Sequence, residues 1–304
     1  MNSKLLVICG PTATGKTNLA GHLAKKFNGE LVSADSRQVF KGMDIGTGKD
    51  YIKGVKIWGY DLISPKKDFS ISVYLKFAKK AILDIARRGK LPILVGGTGF
   101  YIKGVVDGIP TVLIPQNEDF RKNFENKSVE DLFEMLAQID PSRAGQMNTS
   151  DKKNPRRLIR AIEVATWKLE HGDKKKSSAI SHQPLVLMVG LTSSKNVLER
   201  KIYKRVEERI KMGIKKEIQD LLNSGVDWDD QSMQALGYRQ WRDYFEGGVP
   251  EEVVINEWAR EEKKYAKRQL TWFRKDMRIK WFDIAADSYP GVVESLVKKW
   301  YSSI

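Results

Sequence analysis

The chain is 304 residues long and 41% hydrophobic, enough to bury a sizeable core, and its length suits one large α/β domain with an insertion. Its 53 Lys and Arg against 38 Asp and Glu leave a formal charge of +15, which serves either as a solvated basic surface or as an attractor of polyanions. A single cysteine, Cys9, excludes a disulfide framework and a cysteine-type zinc site, the scattered His22, His171 and His182 lack metal-ligand spacing, and the absence of a long apolar run or an export signal predicts a cytoplasmic protein without a membrane span.

Leu5 to Cys9 is wholly apolar and predicts a buried parallel strand. Gly10 to Gly15 form a loop, and Leu19, Ala20, Leu23 and Ala24 give Lys16 to Phe27 a helical period. Glu30 to Ala34 read as a second strand, running into Asp35. Val73 to Arg88 carry Tyr74, Phe77, Ala81 and Ile85 on one helical stripe, and Leu91 to Val95 form a third strand that enters Gly96-Gly97-Thr98-Gly99. From about Gln116 to Gly172 only helices are expected, followed by a polar loop at Lys174 to Ser178. Leu185 to Leu191 is again a buried strand, and the remainder from Val197 reads as mostly helical and strongly charged. The expected organisation is therefore a P-loop NTPase-like parallel sheet flanked by helices, built from residues 1–115 and 184–304, with an all-helical insertion domain at 116–183.

Gly10-Pro11-Thr12-Ala13-Thr14-Gly15-Lys16-Thr17 matches the phosphate-binding pattern G-x-x-x-x-G-K-[ST] and lies between a strand and a helix, the context that confirms it. Backbone N–H groups there form an anion nest, Lys16 adds a point charge, and the Thr17 hydroxyl is placed to hold Mg²⁺. A nucleotide-hydrolysing enzyme should also show an apolar strand ending in Asp, yet Leu91 to Val95 ends in glycines. Asp35, in Asp35-Ser36-Arg37-Gln38, is the strand-end acid, and reads either as a general base in the ligand crevice or as a turn or helix-capping aspartate. The Gly96 to Gly99 run lets backbone approach a ligand, with the Thr98 hydroxyl on a phosphate oxygen, or simply makes a tight turn.

Together these runs resemble the tRNA dimethylallyltransferase (tRNA isopentenyltransferase) family of bacterial type, over nearly the whole chain and in order. The resemblance continues through Lys41 to Lys49, Arg157 to Glu163, Ser232 to Arg239 and Tyr265 to Arg274. Gly48-Lys49-Asp50 departs from the family's usual Ala-Lys-Pro, and Lys153 to Arg157 departs from its usual Asn-Asp-x-x-Arg. The zinc-finger tail of eukaryotic relatives is missing. The resemblance implies transfer of a dimethylallyl group from dimethylallyl diphosphate to N6 of the adenine 3′ to the anticodon, with Mg²⁺ as cofactor and the tRNA anticodon stem-loop as partner. It implies catalytic roles for Asp35, Thr98 and Arg205, and a diphosphate site at Gly10 to Thr17. It also implies tRNA contacts by Asp35, Ser36, Arg37, Gln38, Thr98, Arg121, Gly237, Tyr238 and Arg239. No obligate protein partner is implied.

Two basic stretches suit RNA. Trp258 to Lys280 holds nine Lys or Arg against three acids, Lys267 and Arg268 among them, with Trp258, Tyr265, Trp272 and Phe273 interleaved. The near-helical spacing of those aromatics favours burial over base stacking. Arg156, Arg157 and Arg160 form a second cluster at a helix start in the insertion. The competing readings are a prenyltransferase acting on free adenine nucleotides, a P-loop kinase or NTPase, and a P-loop RNA-binding module without catalysis.

Overall fold

A computed structural model describes residues 4–172 and 184–303. They divide into two compact units, one within Met1–Asp107 and Ile180–Ile304 and one within Gly108–Ala179. In chain order the first unit begins β1 (Lys4–Cys9), α1 (Lys16–Lys26), β2 (Gly29–Ser33), β3 (Ile57–Trp58), α2 (Ile71–Arg87), β4 (Leu91–Gly96) and α3 (Gly99–Val106). The second unit holds α4 (Glu118–Lys122), α5 (Val129–Ile139), α6 (Pro141–Gln146), α7 (Thr149–Lys152) and α8 (Pro155–His171). The first unit then resumes with β5 (Leu185–Thr192), α9 (Lys195–Lys211), α10 (Ile214–Asn223), α11 (Arg242–Phe245), α12 (Glu251–Phe273), β6 (Ile279–Asp283) and α13 (Tyr289–Ser302).

The six strands form one parallel sheet in the order β3-β2-β4-β1-β5-β6. Its central strand shows why an uninterrupted apolar run was needed. Leu5, Val7 and Cys9 face a core shared with α2, α3, α10 and α12, whereas Leu6 and Ile8 face a second core with α1 and α13. A strand covered on both faces has no polar face to show. Burial also pushes the Cys9 thiol up to about 12, so it behaves as a small apolar residue.

Two strands escape the pattern reading. β3 is two residues long, and β6 lies where mostly helix is expected. In β6 only Ile279 is buried, and the strand flanks β5 at the sheet edge, so its periodicity is too short and too charged to register. The second unit contains helices, a 3₁₀ turn at Pro110–Leu113 and, among the described residues, no strand. Leu132, Leu136, Leu158 and Ile162 form its core where α5 packs on α8. Its helix starts are closed by Ser128, Asp140, Asn148 and Asn154, with Pro141 and Pro155 at first helical positions. This unit begins at Gly108 rather than near Gln116, because Arg160 on α8 donates to the carbonyls of Thr111 (2.8 Å), Ile114 (2.9 Å) and Pro115 (3.3 Å). The Lys174 to Ser178 loop and His182 lie outside the described residues.

Candidate active site

The P-loop joins β1 to α1, and its backbone is shaped for an anion. Ala13 and Gly15 both adopt left-handed conformations, with φ of 62° and 75°. Alternation of this kind turns successive N–H groups inward. Gly15 caps α1 without a side-chain hydrogen bond, and the first helical turn contains no acid. The orphan N–H groups of that turn are therefore left for a ligand. Thr14 Oγ1 and Lys16 Nζ both donate to the Pro11 carbonyl, at 2.8 and 2.6 Å, and Gly10 packs against the Leu191 carbonyl.

A cavity of about 320 Å³ opens over this loop. Thr12, Ala13, Gly15, Lys16 and Thr17 form its floor; Gly10, Pro11 and the buried Thr14 shape the loop from behind. Asp35, Ser36, Arg37 and Gln38 form one wall, Gly46 to Gly48 and Asp50 another, and Arg205, Arg209 and α12 residues the rest. Six cationic side chains line it, Lys16, Arg37, Arg205, Arg209, Arg239 and Arg268, against the acids Asp35, Asp50 and Glu262. Burial, and next the Arg205 charge, lower the Lys16 ammonium to about 8. Burial and Arg205 likewise bring Arg209 down to about 10. Like charges confined in this way call for an anion between them.

Asp35 Oδ1 accepts from its own turn, from Arg37 N at 2.8 Å, which fixes the carboxylate plane. No helix follows; the next is α2 at Ile71–Arg87, so Asp35 caps none. Among the described residues no hydrogen bond reaches Oδ2. Thr98 is not on the cavity wall. Its Oγ1 accepts from Ser36 N at 3.2 Å and so positions the Asp35–Gln38 turn, which leaves the hydroxyl proton free to donate. Gln38 is locked by Ser33 Oγ (2.7 Å) and the Gly48 carbonyl (2.9 Å), and Arg37 donates to the Gln231 carbonyl at 2.6 Å.

Arg205 reaches in from α9 and donates to Thr12 Oγ1 at 3.0 Å. One turn on, Arg209 pairs with Glu262 at 3.2 Å and lies 5.6 Å from the Trp258 ring. Both guanidinium groups crowd Gly48 (φ 66°), where a Cβ would stand 2.2 Å from Arg205 Nη2 and 2.5 Å from Arg209 Nη2. Glycine at that position lets the loop close around the cations.

Four residues outside the sequence-based assignment complete the architecture. Gln269 on α12 accepts from Thr12 N at 2.8 Å and donates to the Gly97 carbonyl at 2.9 Å, tying the P-loop to the glycine turn after β4. Arg209 lies four residues beyond Arg205 on one helix face, a spacing visible in sequence. Glu217 accepts from the N–H groups of Asp44, Ile45 and Gly46 and from Tyr238 OH. The buried Lys49 ammonium bridges Asp44 and Asp61, each at 2.6 Å. Nothing in sequence flags Glu217, since its partners come from distant loops, and Lys49 shows there only as part of the Lys41 to Lys49 run.

The expected RNA-contacting residues divide. Arg239 and Arg268 line the cavity, and Lys267 is exposed on α12. Tyr238 does not meet the surface: it is fully buried and bonded to Glu217, and Gly237 lies beneath the Trp258 indole. In the second unit, Arg121 and Arg160 both pair with the buried Glu163, which also accepts from Asn117 N at 2.7 Å. Arg157 pairs with Asp151, whereas Arg156 is exposed, with no ion pair among the described residues. Trp258 and Phe273 are buried as their spacing suggests; Tyr265 lines the cavity, and Trp272 stays 44% exposed.

Comparison with known proteins adds a family to this geometry. The family described as IPP transferase matches residues 38–276, and one described as isopentenyl transferase matches residues 3–57. A tRNA dimethylallyltransferase of Anoxybacillus flavithermus is 37% identical, over 95% of this chain and 93% of its own. That of Carboxydothermus hydrogenoformans is 38% identical, over 98% and 97%. Among solved structures, the tRNA isopentenylpyrophosphate transferase of Bacillus halodurans superposes with a TM-score of 0.73 at 36% identity, covering 98% of this chain and 96% of that one. A eukaryotic dimethylallyltransferase acting on tRNA shares the fold, with a TM-score of 0.83 at 23% identity over 99% and 80%.

Proposed function

The chain belongs to the IPP transferase family and is a tRNA-modifying prenyl transferase, and on that premise we propose how its cavity works and on what. The donor is dimethylallyl diphosphate, and the acceptor is N6 of the adenine on the 3′ side of the anticodon in the tRNA anticodon stem-loop. The observation that carries this reading is that one cavity holds an anion nest on its floor and Asp35 on its wall.

The diphosphate lies in the P-loop nest, held by Lys16 and Arg205, with Arg209 behind them. The N6 lone pair forms a bond to C1 of the dimethylallyl group as the C1–O bond breaks, and the electron pair leaves on the diphosphate oxygen. The N6 proton passes to Asp35, whose Oδ2 is the oxygen not held by its own turn. No γ-phosphate is attacked, so no second carboxylate is required to activate water. Because an adenine inside a folded loop cannot reach this cavity, it must be extruded from its stack.

The donor set fits Mg²⁺. Thr17 offers a hard hydroxyl oxygen beside the nest, and Mg²⁺ keeps several waters and phosphate oxygens, so it needs no all-protein cage. Thr17 would hold it, and the ion would neutralise charge on the diphosphate. Arg239, Arg268 and the exposed Lys267 contact RNA phosphates in the first unit, and the exposed Arg156 does so separately in the second.

The test is single-turnover transfer by D35N. Asn keeps the Arg37 N–H bond but cannot take a proton. The rate is expected to fall roughly 10²–10⁴-fold with donor and tRNA still bound. Wild-type chemistry in D35N would overturn the base assignment. Transfer to AMP in preference to tRNA, read by nucleoside mass spectrometry, would overturn the acceptor.

A further inference from the structure

One face of α12 runs from the catalytic cavity to the surface. Tyr265, Arg268 and Gln269 line that cavity; Trp272, Phe273 and the following Lys275 line a neighbouring one of about 590 Å³, together with Gly99 and Lys103. From Tyr265 to Trp272 is seven residues of helix, a rise of about 10 Å. Ring and cation alternate along it: Tyr265, Arg268 and Trp272 on the helix, then Lys275 in the turn that follows.

Trp272 is an anomaly in this molecule. Trp241 and Trp258 are completely buried, whereas Trp272 is 44% exposed, and its neighbour Phe100 is 45% exposed. The two rings meet edge to face, with centroids 6.4 Å apart and planes at 85°. The indole lies so close to the start of α3 that a Cβ on Gly99 would stand 2.1 Å from its Cδ1. A large apolar ring is thus held in one orientation at the surface without being buried, beside Lys103 and Lys275. A rigid exposed ring flanked by cations suits an unpaired nucleobase, which offers a π-face to the indole and a phosphate to the ammonium groups.

We propose that Trp272, braced by Phe100 and Gly99, is a stacking platform for an unpaired loop base neighbouring the adenine that enters the cavity. The inference rests on the tRNA substrate proposed for the cavity. Extruding one base breaks its stacking with its neighbours, and the platform replaces part of what a neighbour loses. It also sets which base is presented to Asp35, because the strand is pinned about 10 Å from Tyr265.

The test is a binding cycle on a synthetic anticodon stem-loop RNA, unmodified or carrying an abasic site at each loop position in turn. W272L should weaken binding of the intact RNA roughly 5–150-fold, the range for one base on one ring, and W272F should stay within about threefold of wild type on the same basis. One abasic position should weaken wild type comparably and add nothing in W272L. Affinity for inorganic diphosphate should not change, which separates the platform from the donor site. Equal affinities of W272L and wild type, or losses that add at every abasic position, would overturn it. If W272L melts below wild type, F100L carries the same cycle. Should the wild-type protein bind the stem-loop yet leave its mass unchanged with donor, the transfer proposal fails, while the abasic cycle still supports or overturns the platform independently.

Discussion

The two units handle positive charge in opposite ways. In the second unit most arginines near α8 are spoken for: Glu163 takes Arg121 and Arg160, Asp151 takes Arg157, and Arg156 has no ion pair among the described residues. In the first unit the cavity crowds Lys16, Arg205 and Arg209 together with an ion pair only from Arg209 to Glu262, and burial and mutual repulsion pull Lys16 and Arg209 down. A basic residue in sequence is therefore not the same as a free cation in the fold. The paired set fastens helices, as Arg160 does to the carbonyls of the 3₁₀ turn. The cavity set is arranged for something that arrives later.

The sharpest way to break this contrast is K16A. Removing the central cation should weaken donor-diphosphate affinity on the order of 100-fold, the scale of a charge-assisted hydrogen bond lost from a buried site, while tRNA affinity changes little. Calorimetry with each ligand separately checks it, and loss of tRNA binding with donor binding intact would invert the assignment. Next is E163A, which strands two arginines and Asn117 N. It should cost about 2 kcal/mol of second-unit stability, less than a fully buried pair because both arginines are partly exposed. Urea denaturation measures it, and E163Q should recover part of the loss through its remaining oxygen.

A smaller effect follows from the titration of Lys16. Its ammonium, lowered to about 8 when the site is free, is charged below that pH and neutral above it, and a bound diphosphate favours the charged form. Donor affinity should thus be flat below pH 8 and fall by up to about tenfold per unit above it, with proton uptake on binding. A flat affinity up to pH 9.5, or no uptake in buffers of different ionisation heat, would show that Lys16 does not touch the anion. The smallest effect sharpens the contrast inside the second unit. R156A should weaken tRNA binding a few-fold and reduce the salt slope by about one. R121A should change that slope less, because Arg121 is held in an ion pair with the buried Glu163.

Sequence reached the sheet, the P-loop and the Asp35 wall because each is local. An apolar run of five, an octapeptide between strand and helix, and an acid at a strand end carry their meaning in neighbouring residues. What it missed depends on distant partners. Tyr238 belongs to a motif-like run, but Glu217 draws its hydroxyl inward and the side chain is lost to the surface. Thr98 also accepts from Ser36 N, brought close by the β2 and β4 pairing, a second role that its local sequence does not show. β6 was hidden by its own charges at the sheet edge. The spacing of the α12 aromatics predicts burial, which holds for Trp258 and Phe273, and fails at Trp272 because Gly99 opens a seat for it on the surface.

The bond from Thr12 N to Gln269 Oε1 spans 257 residues of chain. During synthesis the P-loop emerges well before the amide that pins it. At ordinary ribosomal speeds that interval is on the order of tens of seconds. The central strand waits as well, since β1 must remain unpaired on one side until β5 follows the second unit. The nascent chain thus carries the phosphate-binding octapeptide long before it has the lock that completes it, and catalytic competence arrives with α12.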